Sequence, residues 1–467
     1  MSFTSRLISL AAAGAGSESY WYNKLSNVED RQGPVYWIDY SSVQNVFIGG
    51  YYHISNGYNR VDIMEFDADG NYTRGIRNGS GTQDQTTGFS GVVGSDDTVI
   101  AGGVDYSAGN DAAYFRRYET SNSWIYRNEQ DSGVTSRVNG MYRIGSYIYS
   151  QEWREVSGGD SEIVVARGTS DSHDSKSRFF LNDAGEGFNV NSDQRSDITA
   201  DSNGEMIITA DGDDNNNIYF YLASISSSGS TNFKHRYSRN GQLGEVRVIC
   251  DSNNNIYVIG GFSSGNTGVH LMKFNSSGTF DFQKRYYSSA NSTNSYDLMG
   301  VDIDADDNIY IMVNTTDEPS TNNYIHYMDY IKVDVSGTLQ DGCRFQPNSS
   351  SVNPQYSDPK HCLKVDDNGN MWTTFNYKTS SDNEHRHRVA SKFNMGLAQQ
   401  NLGDFTYYPT SRVDSSDSSN YLNTGSKNTN PNLEAVSDSR SVTSRGAGYT
   451  SEDININTHV TESVTSL

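Results

Sequence analysis

Six acidic turns hold the first residues of this chain whose type and spacing could do chemistry. They read DADGN (67–71), DSNGE (201–205), DGDDNNN (211–217), DSNNN (251–255), DADDN (304–308) and DDNGN (366–370). Clustered carboxylate and amide oxygens are what calcium takes, about six to eight of them per ion, and a helix–loop–helix calcium loop closes with a Glu at its twelfth position. No copy supplies that Glu. Asp and Asn also stabilise tight turns by hydrogen-bonding their own backbone, and the turns are read as structural. Asp302, Asp304 and Asp306 come nearest to a calcium ligand set; no other cofactor is implied. His385 and His387 in NEHRHRV lie two apart, on one face of a strand, a spacing a metal could use. Neither has Cys or carboxylate ligands at a fixed spacing beside it, so no metal is assigned.

DDNGNMW (366–372) partly matches the D-x-G-x-x-W box of sialidases. Val365 stands where that motif expects Ser or Thr, and the turn precedes the second strand of its unit rather than following the third. No G-x-S-x-G, Walker A, G-x-G-x-x-G or H-E-x-x-H sequence is present. Cys250, Cys343 and Cys362 show no C-x-x-C spacing, and only Cys343 and Cys362 could pair; buried free thiols are the commoner state. Tyrosine, with 32 residues, supplies broad amphipathic contact area. Most strand tyrosines pack between sheets, while Tyr51, Tyr52 and Tyr58, read as loop residues, are the surface candidates for glycan or protein contact.

The elements that must position these residues are short strands. Hydrophobic content is 34% over 467 residues, low enough to suggest disorder, yet the apolar residues cluster in strand-like runs. The net charge of −22 repels phosphate backbones and argues against a nucleic-acid partner. No run approaches the roughly 20 apolar residues that span a bilayer, so membrane insertion is not expected.

One strand recurs after each turn, beginning at Val46, Val99, Tyr147, Met206, Ile256, Ile309 and Met371, with spacings of 53, 48, 59, 50, 53 and 62 residues. Such a period with several short strands per unit predicts a β-propeller, one blade per repeat. A third strand recurs as VDIMEFD, AAYFRRY, IVVARG, YFYLASIS, VHLMKFN, YIKVDV and VASKFN. In Glu65-Phe66, Lys273-Phe274, Lys332-Val333 and Lys392-Phe393, alternation sends the charge one way and the apolar neighbour between blades. Aromatic, basic segments such as NYTRGIR, NFKHRYS and FDFQKRYY follow as outermost strands with exposed edges. SYWYNKLS (19–26) and DFTYYPT (404–410) compete to close the ring.

The pattern D-x-x-G/N-N-I/V-Y-V-x-G-G, then apolar-x-K-F and S-G-T, resembles the bacterial seven-bladed β-propeller repeat family. DSNNNIYVIGG with LMKFNSSGTFDFQ matches it best, and DADDNIYIMV with IKVDVSGTL follows. The resemblance implies an all-β, seven-bladed propeller of four-stranded antiparallel blades over residues 19–410 and says little about chemistry. The opening MSFTSRLISLAAAGAG resembles the short Leu/Ala/Gly leaders on virion proteins of marine tailed bacteriophages.

Two arms flank the propeller. Residues 1–18 form an N-terminal anchoring arm, helical or extended, with Phe3, Leu7 and Leu10 on one face. Residues 411–467 form a Ser/Asn/Thr-rich C-terminal arm, in which Ile454, Ile456 and Val460 alternate with polar residues and could extend a neighbouring sheet or, equally, pack back on the chain's own propeller. The expectation is a non-enzymatic virion structural protein, of the tail, assembled in the host cytoplasm. Its arms would grip other virion proteins and copies of itself, and its disc would contact host-surface glycan. A secreted or surface glycan-binding adhesin is the first alternative, and a carbohydrate-active enzyme the second.

Overall fold

The computed structural model describes residues 20–26, 31–53, 59–78, 86–105, 112–118, 123–128, 135–155, 161–169, 177–181, 196–214, 217–239, 243–262, 268–287, 295–320, 323–355, 361–379 and 387–409, and the tail strands 414–417, 422–428, 433–434, 442–444, 451–453 and 458–464. Phe3, Leu7, Leu10, Tyr58, His385, Ile454 and Ile456 lie outside the described residues. Among those described, no helix is long and apolar enough to cross a membrane.

The chain is an all-β propeller. Its strands pair into seven sheets. Blade 1 comprises Arg31–Tyr40, Val46–His53, Asn59–Phe66 and Tyr72–Asn78. Blade 2 comprises Thr86–Val93, Val99–Asp105, Ala112–Tyr118 and Ser123–Asn128. Blade 3 takes Thr135–Ile144, Tyr147–Glu155, Ser161–Thr169 and Ser177–Leu181. Blade 4 takes Ser196–Ala200, Met206–Asp214, Asn217–Ile225 and Thr231–Arg239. Blade 5 is built of Leu243–Cys250, Ile256–Phe262, Gly268–Phe274 and Phe280–Tyr287. Blade 6 is built of Ser295–Ile303, Ile309–Ser320, Asn323–Val333 and Leu339–Pro347.

The expectation of seven like blades needs correction here. Six blades, not seven, are runs of four consecutive strands; the remaining sheet is composite. Its inner edge is split into Val352–Gln355 and Leu363–Val365, followed by Met371–Thr379 and His387–Phe393. The next strand is Tyr20–Ser26, from the other end of the chain, in register from Trp21 opposite Lys392 to Leu25 opposite Arg388. Tyr20–Ser26 therefore closes the ring, while Phe405–Tyr408 pairs with the outer strand of blade 6. The first strands of neighbouring sheets pack side by side all the way round, including that of the composite sheet against blades 1 and 6.

Each of the seven residues singled out by the repeat opens the second strand of its own sheet. Local chemistry explains why. In the turn before Ile256, the Asn253 and Asn255 N–H groups donate to Asp251 Oδ1 at 2.9 and 2.8 Å, and the Tyr257 hydroxyl donates to Oδ2 at 3.0 Å. The fourth turn residue is left-handed, with φ of 62° at Asn254 and 63° at Asp307, a conformation that Asn and Asp tolerate better than most side chains.

Phe66, Phe274, Val333 and Phe393 are all buried. The lysines before the last three lie over second-strand rings in register opposite them: Lys273 over Tyr257, Lys332 over Tyr310 and Lys392 over Trp372, at 5.5, 5.1 and 5.0 Å. The Gly-Gly pair gives room for close approach: a Cβ on Gly49 would lie 2.1 Å from the Trp37 ring, and one on Gly261 would lie 2.5 Å from the Tyr296 carbonyl oxygen of the next blade.

The outer edges are not exposed as expected. The tail runs around the rim against chain order, adding one antiparallel strand to six of the seven sheets, while blade 6 carries Phe405–Tyr408 and Gln400–Leu402. Asp414–Asp417 pairs with blade 5, Leu422–Asn428 with blade 4 and Leu433–Glu434 with blade 3. Val442–Ser444 then pairs with blade 2, Ser451–Asp453 with blade 1 and Thr458–Val464 with Tyr20–Ser26. Of the two readings of the C-terminal arm, its strands take the one on its own propeller, since a sheet edge takes any strand that offers backbone groups in register.

Candidate functional site

The first strand of each blade borders the central axis. Its inner N–H groups have no ladder partner, and side chains of the preceding blade supply one. The Val93 N–H of blade 2 donates to Asp39 Oδ2 of blade 1 at 2.8 Å. The Val248 N–H of blade 5 donates to Asp197 Oδ2 of blade 4 at 3.0 Å, and the Leu298 N–H of blade 6 to Glu245 Oε2 of blade 5 at 3.2 Å. The Val365 N–H of the composite sheet donates to Asp302 Oδ2 of blade 6 at 2.8 Å. Four axial carboxylates thus hold neighbouring blades together.

Contacts among the described residues also cross the axis. His361, at the inner edge of the composite sheet, sets Nε2 3.4 Å from Asp197 Oδ1 of blade 4. Its backbone is fixed by blade 1, with its N–H on Tyr36 O at 2.9 Å and its carbonyl accepting from Ile38 at 2.8 Å. Burial raises the Asp197 pKa, but His361, Arg247 and the Val248 N–H more than offset that and leave it lowered. Burial lowers that of His361, and Asp197 offsets only part of the effect. Lys364 Nζ lies 5.9 Å from the Tyr142 ring of blade 3. Burial works against its charge, and Asp302 and Asp39 outweigh it, leaving the ammonium pKa raised.

An acidic pair at the axis was not legible in the sequence. Asp297 of blade 6 is pushed up to about 8, first by burial and then by Glu245 of blade 5. A neutral carboxyl beside a carboxylate is the arrangement general acid catalysis uses. Here Glu245 is tied to the Leu298 N–H. The only signal available was that both residues fall on first strands, and they lie on different blades.

The calcium candidates do not converge. Asp302 holds the Val365 N–H. Asp304 accepts from the N–H groups of Asp306 and Asn308, the Asn308 amide and the Tyr310 hydroxyl, with Lys332 Nζ at 3.7 Å. A carboxylate ringed by donors and an ammonium is a poor cation ligand. Among the described residues, no group of three or more His, Cys, Asp or Glu side chains could hold a metal. His387 packs its ring 4.9 Å from Tyr377. Tyr51 and Tyr52 belong to strand Val46–His53 rather than a loop. Tyr51 stacks on Tyr36 at 5.7 Å, so it serves packing. The Val460 backbone sits opposite Lys24. Cys343 and Cys362 are buried free thiols.

No protein-family model and no curated protein matches the sequence. Among solved structures, a protein of unknown function from Dyadobacter fermentans DSM 18053 is similar at 8% identity, covering 79% of this chain and 97% of that one, with a TM-score of 0.43. MPT-1, a GDP-Man-dependent mannosyltransferase from Leishmania mexicana, is similar at 9% identity over 56% of this chain and 84% of that one, with a TM-score of 0.28. The tail fiber of Staphylococcus aureus phage P68 is similar at 7% identity over 79% and 92%, with a TM-score of 0.16. Likenesses this distant carry no argument about function.

Proposed function

We propose that this chain is a non-enzymatic structural protein of a bacteriophage virion, placed in the tail, whose disc faces the host surface. Counting the composite sheet as a seventh blade, the disc is seven-bladed. Its coupling to other virion proteins and to further copies falls to residues 1–18, whose opening resembles phage leaders. The observation that carries the non-enzymatic part is the use of the axial carboxylates: Asp39, Asp197, Glu245 and Asp302 each accept a backbone N–H from the next sheet. Side chains committed to holding a ring together are poorly placed to move protons for a substrate.

The test is particle composition. Phage particles purified from a lysate of the host strain should contain this chain in fixed ratio to the major tail proteins, with antibody decorating the tail by electron microscopy. Recovery only from the soluble or cell-envelope fractions would defeat the proposal. Hydrolysis of host polysaccharide by the purified chain, lost in Asp297→Asn, would establish the enzymatic alternative instead.

A further inference from the structure

The face of blade 6 turned toward the composite sheet changes character along its length. Toward the turn before Ile309 it is apolar, with Tyr310 and Met312 in one core with Phe375 and Tyr377 of the composite sheet. Toward the opposite end it becomes polar. Asn314 stands directly opposite Asp297, and Thr316 directly opposite His326. Residues directly opposite each other, or two apart on one strand, share a face, so all four side chains project from this one. Thr316 Oγ1 and His326 Nδ1 share a hydrogen bond of 2.9 Å. Asn314 is 1% exposed, yet neither its Oδ1 nor its Nδ2 has a hydrogen-bond partner among the described residues, not even the Asp297 facing it. Few buried amides in native folds are left so. Asp297 and His326 are partly exposed, so the group opens outward from a buried floor at Asn314.

We propose that Asp297, Asn314 and the Thr316–His326 pair form a binding site for a neutral saccharide. The inference rests on the reading of a disc that faces the host surface, and it names what the disc takes there. Sugar hydroxyls both donate and accept, and so do these groups: the amide offers two donors and an acceptor, and the carboxyl and the imidazole each offer both roles when neutral. Both are neutral near pH 7. Burial and then Glu245 push Asp297 up to about 8, and burial lowers His326. An acidic sugar would meet the nearby Glu245 carboxylate with no base among the four side chains to offset it, which favours the neutral class. An ordered water satisfies the amide until a ligand hydroxyl that reproduces its bonds displaces it. The placement agrees with the tether. The described chain begins at Tyr20, whose hydroxyl bonds Asn370 at 3.2 Å and also Asn394, both in turns. Asp297 instead lies near the start of Ser295–Ile303, the strand that runs toward the turn at Asp304. Anchoring from the end of the turns leaves the end with Asp297 facing outward.

The purified full chain is titrated calorimetrically at neutral pH with mannan, galactan, glucan and N-acetylglucosamine oligosaccharides, and with sialic acid oligomers as the acidic counterpart. At least one neutral oligosaccharide should bind, and more tightly than the acidic oligomers. Asn314→Leu removes an unbonded amide, so it should keep the parent melting temperature while weakening that binding about tenfold or more, the worth of one or two hydrogen bonds. Thr316→Val, close in volume, breaks the bond to His326 and should weaken binding likewise; it decides the matter where Asn314→Leu does not fold. Failure of every neutral oligosaccharide to bind would overturn the proposal, as would tighter binding of the acidic oligomers or binding that survives both replacements. Particle composition is a separate readout. The chain found in particles without saccharide binding would sink this inference alone, and saccharide binding by a chain absent from particles would sink the virion reading alone.

Discussion

Arg388 Nη1 donates to Asp62 Oδ2 at 2.6 Å, joining the composite sheet to blade 1 through two side chains that are each 1% exposed. The guanidinium does more than pair with a charge. Its Nη2 donates to Tyr51 O at 2.6 Å and Gly33 O at 3.0 Å, and Nε donates to Gly33 O at 3.2 Å. Removing Asp62 leaves a buried cation that keeps two carbonyl partners; removing Arg388 orphans a buried carboxylate and both carbonyls. Breaking a buried pair costs about 3–5 kcal/mol. Asp62→Asn should fall at the low end of that range and Arg388→Met at or above the high end, read as denaturation midpoints. Equal losses in the two variants would show that the carbonyl bonds contribute nothing.

The axial groups set opposite pH limbs. His361 has a lowered folded pKa, so the unfolded chain takes up its proton first, and stability is lost as pH falls below about 6.5. Asp197, also lowered, adds a further loss on acidification, below about pH 4. Asp297, raised to about 8, runs the other way. The unfolded carboxyl ionises near pH 4, so its contribution is lost as pH rises from about 4 to 8. Relative to the parent chain, Asp297→Asn should therefore gain stability at pH 8.5 over pH 5, and His361→Gln should flatten the acid limb. Denaturant titrations at several pH values read both effects, and parallel curves would remove these groups from the account.

Calcium should do nothing to the turn at Asp304. Its carboxylate already takes two backbone N–H groups, an amide and a hydroxyl. Asp304→Ala should cost about 1–3 kcal/mol, the penalty for stranding donors in a partly buried turn. Millimolar calcium or a chelator should leave the parent melting temperature unchanged. A calcium-dependent rise that disappears in Asp304→Ala would restore the metal reading.

The second strands were legible because their signals are local. A turn such as Asp251–Asn255 and the alternation through Tyr257 lie within a few residues of each other, and both act before any long-range contact forms. Ring closure was not legible in the same way. SYWYNKLS and DFTYYPT carry equivalent strand patterns, and the choice rests on pairing Trp21 with Lys392, far apart in sequence. The tail was legible only near Val460, where residues alternate; elsewhere edge pairing through backbone needs no apolar period, so a Ser- and Asn-rich segment does not say which sheet it joins. His361 meets Asp197 only because blades distant in sequence converge on one axis, and Asp297 meets Glu245 only because the first strands of consecutive blades pack side by side.

The turns between first and second strands carry bonds from blade to blade. The Ser252 N–H and hydroxyl donate to Asp307 of the next blade at 2.8 and 2.6 Å, and the Ser42 N–H and hydroxyl donate to Asp97 at 2.7 and 2.6 Å. Both acceptors are left-handed turn residues, so replacing either by Gly removes the inter-blade bond while easing the backbone. Asp307→Gly and Asp97→Gly should then be nearly neutral, within about 1 kcal/mol, because relief of the backbone offsets a solvent-exposed hydrogen bond.

Gly49→Ala is the opposite case. A Cβ there would lie 2.1 Å from Cε2 of Trp37, a fully buried ring that packs so closely on Gly91 of blade 2 that a Cβ on Gly91 would also lie 2.4 Å from it. The ring cannot retreat, and overpacking of this kind costs about 1–3 kcal/mol. Trp37→Phe in the Gly49→Ala background should recover part of that loss by freeing space, which a double-mutant cycle would measure as a coupling of about 1 kcal/mol or more. Additive losses would mean that the Gly-Gly pair answers to something other than the tryptophan beside it.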